Sequence, residues 1–544
     1  MEPTWWGWGE KTERASLSPS AQAWLAETIG RRPRPTPRVP DSAVRLGKSE
    51  VDTAPLQAIV GAENVRTDRS ARLQHTGGKS YVDLIRRRAD DALDAPDAVV
   101  LPADHEQVAA LLRACSEHAI AVVPFGGGTS VVGGVEPVRS RFAALIALDL
   151  RRLDALVAHD PESLTATLQA GLGTPRAEEL LGERGLMLGH TPQSAEFATI
   201  GGYAATRSAG AGSTGFGRFD ELVQTLRIAT PAGDAALGRI PASAAGPDLR
   251  ALFLGSEGAL GVITEVGLRV RRIPPYRRYE AFSFPSFRHG YGAARHLVQD
   301  GAAPDVLRLS DTDETAAELV LAGAPELSRR YLRARGHGSG SLLIIGWEGT
   351  QRAVRARRAA AVRLITAERG IRLGTGPGRS WLANRFAAPY LRDTLLDAGL
   401  LAETLETAAP WSALPALHQR LRRALHDALG TPLVMGHISH AYPTGASLYL
   451  TVLADRDDAD PIGQWQRAKA AANEVITAAG ATISHHHGIG LEHRDAMTAE
   501  VGPLGLDLLR AVKSTLDPVG ILNPGKLIPA EQPRSLSRPV ASTA

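Results

Sequence analysis

Three adjacent histidines, His485, His486 and His487, sit in the run ISHHHGIG, with Gly488 and Gly490 directly behind them. Imidazoles titrate close to neutral pH, so such a group can pass protons or donate hydrogen bonds; a histidine tract can equally bind a metal or stand as a solvated loop. An expected strand ahead of the run and the glycines after it favour a buried turn. Upstream, MGHISHAYPTGASLYLTVLA carries His437, His440, Tyr442 and Tyr449. Strand alternation in SLYLTVL puts Leu448, Leu450 and Val452 on one face and Ser447, Tyr449 and Thr451 on the other. A phenol there can serve as acid or base, although packing accounts equally well for a strand tyrosine. Two arginines complete the set. The segment Arg385 to Trp411 reads as one helix with Arg392 near its start, where a guanidinium opposes the macrodipole and is therefore expected to be held for an anion such as a phosphate. Arg308 follows a short apolar strand in PDVLRLSDTDET. Taken singly, either arginine reads as a solvated one.

Glycine-rich segments supply a different chemistry. Pro124, Phe125, Gly126, Gly127, Gly128, Thr129 and Ser130 end a strand, and consecutive glycines let backbone N–H groups converge on an anion without Cβ obstruction. The spacing is not G-x-G-x-x-G, since Val131 stands where the third glycine belongs; GLGTPRAEELL fails likewise at Arg176, and Thr174–Pro175 there reads as a helix N-cap and first residue. Rossmann-type dinucleotide binding is therefore disfavoured. A second segment holds Gln193, Ser194, Ala195, Glu196, Phe197, Ala198 and Thr199, then a helix opened by Gly201–Gly202, then Thr206, Arg207 and Ser208. A third holds Glu257, Gly258, Ala259, Leu260, Gly261, Val262 and Ile263 before a β-branched strand. Alone, the triple-glycine loop is a tight turn as readily as a phosphate site; three glycine-rich segments in one stretch, each at a strand or helix end, are hard to explain as unrelated turns.

These residues need elements to hold them. Residues 1–93 read as a partly helical extension, with Trp5, Trp6 and Trp8 at its start and a proline/arginine-rich passage behind. Strand and helix signals run through 94–275: AVVLP, an amphipathic helix HEQVAALLRACSEH, then AIAVVPF. A cap of strands and long Arg/Ala-rich helices occupies 276–475, a segment completing the site 476–530, and a tail expected to be disordered 531–544. The 544 residues are 44% hydrophobic and 22% charged, which excludes global disorder. With 61 basic against 58 acidic residues and no basic run, a nucleic-acid partner is not expected. The single cysteine, Cys115, excludes an internal disulfide framework and any Cys-based metal site, and its apolar helix marks it as core. No secretory signal, spanning segment or peroxisomal address is visible, so the expectation is a cytoplasmic protein, with peripheral membrane contact left open.

In combination, PFGGGTS, PQSAEFATIGGYAATRSAG, GSEGALGVIT and the closing DPVGILNPGK resemble the vanillyl-alcohol-oxidase type of flavoprotein. The resemblance implies an α+β fold: a PCMH-type FAD-binding domain plus an α/β cap (substrate) domain, with the three glycine segments lining non-covalent FAD. The N-terminal WGWG, PYLRD, ETLETAAPW, GASLY and SHHHGIG resemble, more narrowly, the alkylglycerone-phosphate synthase family. That implies a redox-neutral exchange of the acyl group of acyl-dihydroxyacetone phosphate for a fatty alcohol, through an adduct at flavin N5, in a homodimer. Tyr449 would be the acid/base, His485, His486 and His487 the polar wall by the flavin, Arg392 the phosphate ligand and Arg308 its support. The FAD-linked 2-hydroxyacid dehydrogenases are the alternative. They use G-H-x-G-D-G-N-x-H and E-H-G-x-G to hold a metal; here Tyr449 and His486 replace one imidazole and the carboxylate, so no metal is expected.

Overall fold

The alternation of elements from residue 97 onward folds in the computed structural model into two main sheets, and the cap adds a third large one. The structure describes residues 4–530 except 10–14, 31–33, 37, 50, 90 and 91. The tail 531–544 lies outside the described residues. In the first sheet, strand Ala144–Asp149 pairs in parallel with both Ala98–Val100 and Ile120–Phe125. Its residues are buried on both faces, as continuous apolar runs in a parallel sheet require. Helix His105–Glu117 packs there through Val108, Leu111, Leu112 and Cys115, and Asp104 caps it by accepting from Gln107 N–H. The second sheet is five-stranded and antiparallel, with Val223–Thr230, Val262–Arg269 and Thr165–Gln169 at its centre.

The closing segment belongs to the first sheet. Leu522 bridges Val122 in parallel, and Val122 N–H and Asn523 N–H donate to Ile521 O and Val122 O. Residues 521–523 thus lie as an isolated bridge beside Ile120–Phe125, the strand that delivers the first glycine loop.

The cap is built on a seven-stranded sheet. Four neighbouring strands in it, Val306–Ser310, Leu433–Ala441, Gly445–Asp455 and Leu400–Pro410, set the site by register. Ser310 lies opposite His437, His437 opposite Tyr449, and Tyr449 opposite Glu406. Side chains in one such row emerge on the same face.

Local expectations change at four places. Residues 385–411 are not one helix: Ala388–Asp397 is helical, a turn follows, and Leu400–Pro410 is a strand paired along its full length with Gly445–Asp455. Arg392 accordingly lies in the second turn of a short helix. The histidine run is entered from a single bridge, Thr482 to Ala408, not from a strand. Thr174 is the first residue of its helix and Gly173 the cap. Helix Pro461–Ala478 runs across residue 475.

Trp5, Trp6 and Trp8 are each 5% exposed. Trp6 and Trp5 pack with Val44, Leu73 and Leu93, and Trp8 meets Phe197 edge-on at 5.3 Å. They pack inward. Among the described residues no helix is long and apolar enough to cross a membrane.

Candidate active site

The glycine segments converge. A Cβ on Gly126 would stand 2.3 Å from Thr199 Oγ1, and one on Gly127 would stand 1.9 Å from Phe197 O. The first and second segments therefore approach at a distance only glycine allows. Gly128 has φ +63°, in the left-handed region where glycine is unstrained. Asn523 Nδ2 donates to Gly134 O and Glu257 O at 2.9 and 2.7 Å, locking the first segment to the third. Glu257 Oε2 accepts from Ile489 and Gly490 N–H at 3.0 and 2.8 Å, so the third segment also holds the end of the histidine loop. Burial raises the Glu257 carboxyl to about 7, and its Oε1 has no hydrogen-bond partner among the described residues. A cavity of about 100 Å³ opens beside Gly127 and Gly128, with Phe125, His75 and Lys79 in its wall. An orphaned buried oxygen and a glycine cradle fit the phosphate and ring edges of a dinucleotide flavin.

Not every residue of the three segments faces that cradle with a free polar group. Thr206 Oγ1 donates to Gly202 O, Arg207 pairs with Asp220 at 3.3 Å, and Ser208 Oγ is bonded to buried His190. Glu196 accepts from Trp8 Nε1 and Tyr390 Oη. Leu260 and Val262 are fully buried in the core clusters.

Tyr449 is sandwiched between imidazoles. His437 stacks on it at 4.8 Å and 19°, His486 lies nearly parallel at 6.0 Å, and His487 meets it edge-on at 5.5 Å. Burial, with Glu403 and Glu406 adding to it, raises its phenol to about 12 against the opposing pull of Thr404 and Arg392. The resting side chain is a neutral phenol.

The histidine loop is pinned from below by Glu406, whose role no local sequence pattern shows. Its carboxylate accepts from Ser484 Oγ and from the backbone N–H groups of His485, His486 and His487, at 2.7–3.1 Å. Burial pushes this carboxyl up, but the imidazoles of His486, His487 and His485 outweigh it and hold it well below the usual range. Burial in turn depresses the imidazoles of His485, to about 3, and of His487 and His440. Ring nitrogens of His440, His485 and His486 lie within 4.8 Å of one another, a spacing from which a metal could be held. They are already engaged: His440 with Ser439, Ser447 and Gly210 O, His485 with Tyr442 and His486.

The two arginines differ. Arg392 stands 3.9 Å from buried Glu403, and its buried Nε has no hydrogen-bond partner among the described residues. Arg308 is enclosed: it pairs with Glu314, lies 3.7 Å from Glu318, and donates to His437 Nε2 at 2.9 Å. His437 must then donate through Nδ1, which faces Glu314 at 3.0 Å. Glu314, Glu318, Glu403, Glu406 and Asn523 are the site residues that spacing alone did not reveal. Only the glutamates of TDETAAE, one helical turn apart, carried a signal.

Comparison with known proteins agrees with this arrangement. Residues 96–236 match an FAD binding domain and residues 273–527 the C-terminal domain of FAD linked oxidases. An alkyldihydroxyacetonephosphate synthase of Dictyostelium discoideum is 33% identical over 87% of this chain and 80% of its own length. One of Trypanosoma brucei brucei is 34% identical over 90% and 82%. A solved alkyldihydroxyacetonephosphate synthase superposes with a TM-score of 0.84 at 28% identity, covering 96% of this chain and 98% of the other.

Proposed function

The chain belongs to the alkyldihydroxyacetonephosphate synthase family of FAD-dependent enzymes, and on that premise we propose that it replaces the acyl group of acyl-dihydroxyacetone phosphate by a long-chain alcohol. The ester C–O bond to the three-carbon unit breaks, the fatty acid leaves as carboxylate, and the alcohol oxygen forms the ether bond. The alcohol proton is released, and no electrons are gained or lost overall. Bound FAD supplies an electrophilic centre for the three-carbon unit.

The chain's own residues supply the rest. The glycine segments, with Thr199, Glu257 and Asn523, would hold the cofactor. Arg392, half-buried and with its buried Nε unpaired, would take the substrate phosphate by paired hydrogen bonds. Tyr449, a phenol at rest, would yield its proton to the edge-on His487 imidazole, which burial holds well below its usual range, then take one from the reacting carbon and later return it. Glu406 would keep those imidazoles fixed through their own backbone. The observation that carries the reading is Tyr449 held between His437 and His486, in a register row with Glu406, in a chain a third identical to named synthases.

The test is an anaerobic assay of the purified yellow protein with palmitoyl-dihydroxyacetone phosphate and labelled hexadecanol. Ether product is expected without any added electron acceptor. Absence of ether, with bleaching of the flavin by 2-hydroxyacids, would move the chain to the dehydrogenase alternative.

A further inference from the structure

Two hydrogen bonds run in series from the rim of the site to its centre. Tyr442 Oη lies 2.8 Å from His485 Nε2, and His485 Nδ1 lies 3.0 Å from His486 Nδ1. Tyr442 is half-buried and is followed by exposed Pro443 and Thr444, whereas the His486 ring lies parallel to Tyr449.

The second bond constrains the protons. Two Nδ1 atoms facing each other share one hydrogen, so in a neutral pair one ring donates and the other accepts. This leaves two arrangements of equal charge. In one, Tyr442 donates to His485 Nε2, His485 donates through Nδ1, and His486 carries its hydrogen on Nε2. In the other, every hydrogen has moved one place: His485 Nε2 donates to Tyr442, His486 Nδ1 donates to His485, and His486 Nε2 is a bare base. Going from the second to the first takes up a proton at His486 Nε2 and releases one from Tyr442 Oη to water, with no buried imidazolium formed.

We propose that Tyr442, His485 and His486 form a charge-neutral proton relay that connects the reacting carbon to solvent. It rests on the synthase reading, which calls for a proton to leave the carbon bearing the ester and later return. The surroundings oppose a charge on His485. Burial, with His486 and Arg218 adding to it, depresses the His485 imidazole to about 3, although Glu406 pulls the other way. Arg218 Nη1 also donates to His485 O. Glu406 is occupied by the loop's N–H groups and stands 3.5 Å from His486 Nδ1. His440, whose ring centroid is 5.1 Å from that of His485, stays outside the relay. Its Nε2–H is committed to Gly210 O and its Nδ1 accepts from serine hydroxyls. Tyr442 and His485 are thus positioning residues for the group that touches substrate.

The experiment runs the FAD-loaded enzyme in D2O and reads deuterium at C1 of the ether product by mass spectrometry. In the wild type the abstracted proton exchanges through the relay, so product acquires deuterium. Tyr442→Phe should reduce deuterium per turnover at least fivefold, with FAD content and melting temperature unchanged. His485→Gln, which can hydrogen-bond Tyr442 but cannot pass a proton through a ring, should do the same. A purely structural role would slow turnover and leave deuterium per turnover alone. Wild-type deuterium content in Tyr442→Phe product overturns the relay while the synthase reading stands. Absence of ether from the wild type overturns the reading, and the relay with it.

Discussion

Tyr449 is a phenol between two imidazole planes, and the burial that raises it to about 12 makes it a proton donor at neutral pH. Tyr449→Phe keeps the ring and the stack and removes only the hydroxyl. Yellow FAD should be retained while kcat falls by about 10²–10⁴, the usual share of a general acid–base group; turnover within threefold of wild type would remove Tyr449 from that role. Arg308 permits a pH prediction. Burial raises Glu314 and Glu318 to about 7, against the pull of Arg308. Below that pH both are largely neutral and Arg308 keeps an unbalanced positive charge for an anion. Above it they ionise, neutralise Arg308 and repel phosphate; His437 and Asp311 face the same cluster. The KM for phosphorylated substrate should therefore rise as pH climbs from 6 to 8.5, and Glu314→Gln should flatten the rise. A wild-type KM that stays level over that range would show Arg308 to be structural. At this scale the sequence was readable where chemistry is local: strand alternation put Tyr449 opposite its apolar neighbours. Glu406 was not readable, because its role is to accept from N–H groups some eighty residues away.

The elements around these residues were legible in proportion to how locally they are determined. Helix His105–Glu117 has its apolar stripe and following strand in one stretch, and both formed as read. LLAETLETAAP misled, since leucine, alanine and glutamate are strong helix formers. It became a strand because eleven residues pair with Gly445–Asp455, a tertiary choice that overrides propensity. The closing DPVGILNPGK was recognisable by resemblance, while its physical task is visible only in the fold. Asp517 accepts from Ile521 and Leu522 N–H and from Lys513 Nζ, shaping the turn that presents Asn523 to two glycine-segment carbonyls. Asn523→Ala would leave both carbonyls without their donor, at about 1–3 kcal/mol for each unsatisfied group. Free FAD in ultrafiltrates should then rise at least tenfold, with secondary structure intact. Wild-type retention would mean that the segments hold their spacing without this clamp.

Across the whole molecule, the N-terminal segment links parts distant in sequence. Lys79 Nζ donates to Thr4 O and Gly7 O, Arg87 to Trp5 O, and Arg88 to Trp6 O. Three buried basic side chains thus hold one stretch of backbone through its carbonyls, although burial and then Arg87 push the Lys79 ammonium well below its usual range. That stretch reaches both halves of the site: Trp8 packs on Phe197 of the second glycine segment, and Trp8 N–H donates at 2.5 Å to Asp393, the neighbour of Arg392. Arg88 grips the same helix through Asp393 and Asp397. Removing residues 1–9 would strip the three side chains of these acceptors, each guanidinium contact being a hydrogen bond to charge of about 1.5–3 kcal/mol. It would also uncover the pocket now filled by Trp5 and Trp6. The melting temperature should fall by roughly 5–10 °C, and the KM for phosphorylated substrate should rise several-fold, because the helix carrying Arg392 loses a tether. Liposome binding should not decrease, since tryptophans 5% exposed are unavailable to a bilayer. The three readouts separate the alternatives. A drop in liposome binding with stability and KM unchanged would make the segment a membrane anchor, whereas lower stability and higher KM with unchanged liposome binding establish it as the internal strap that its carbonyls describe.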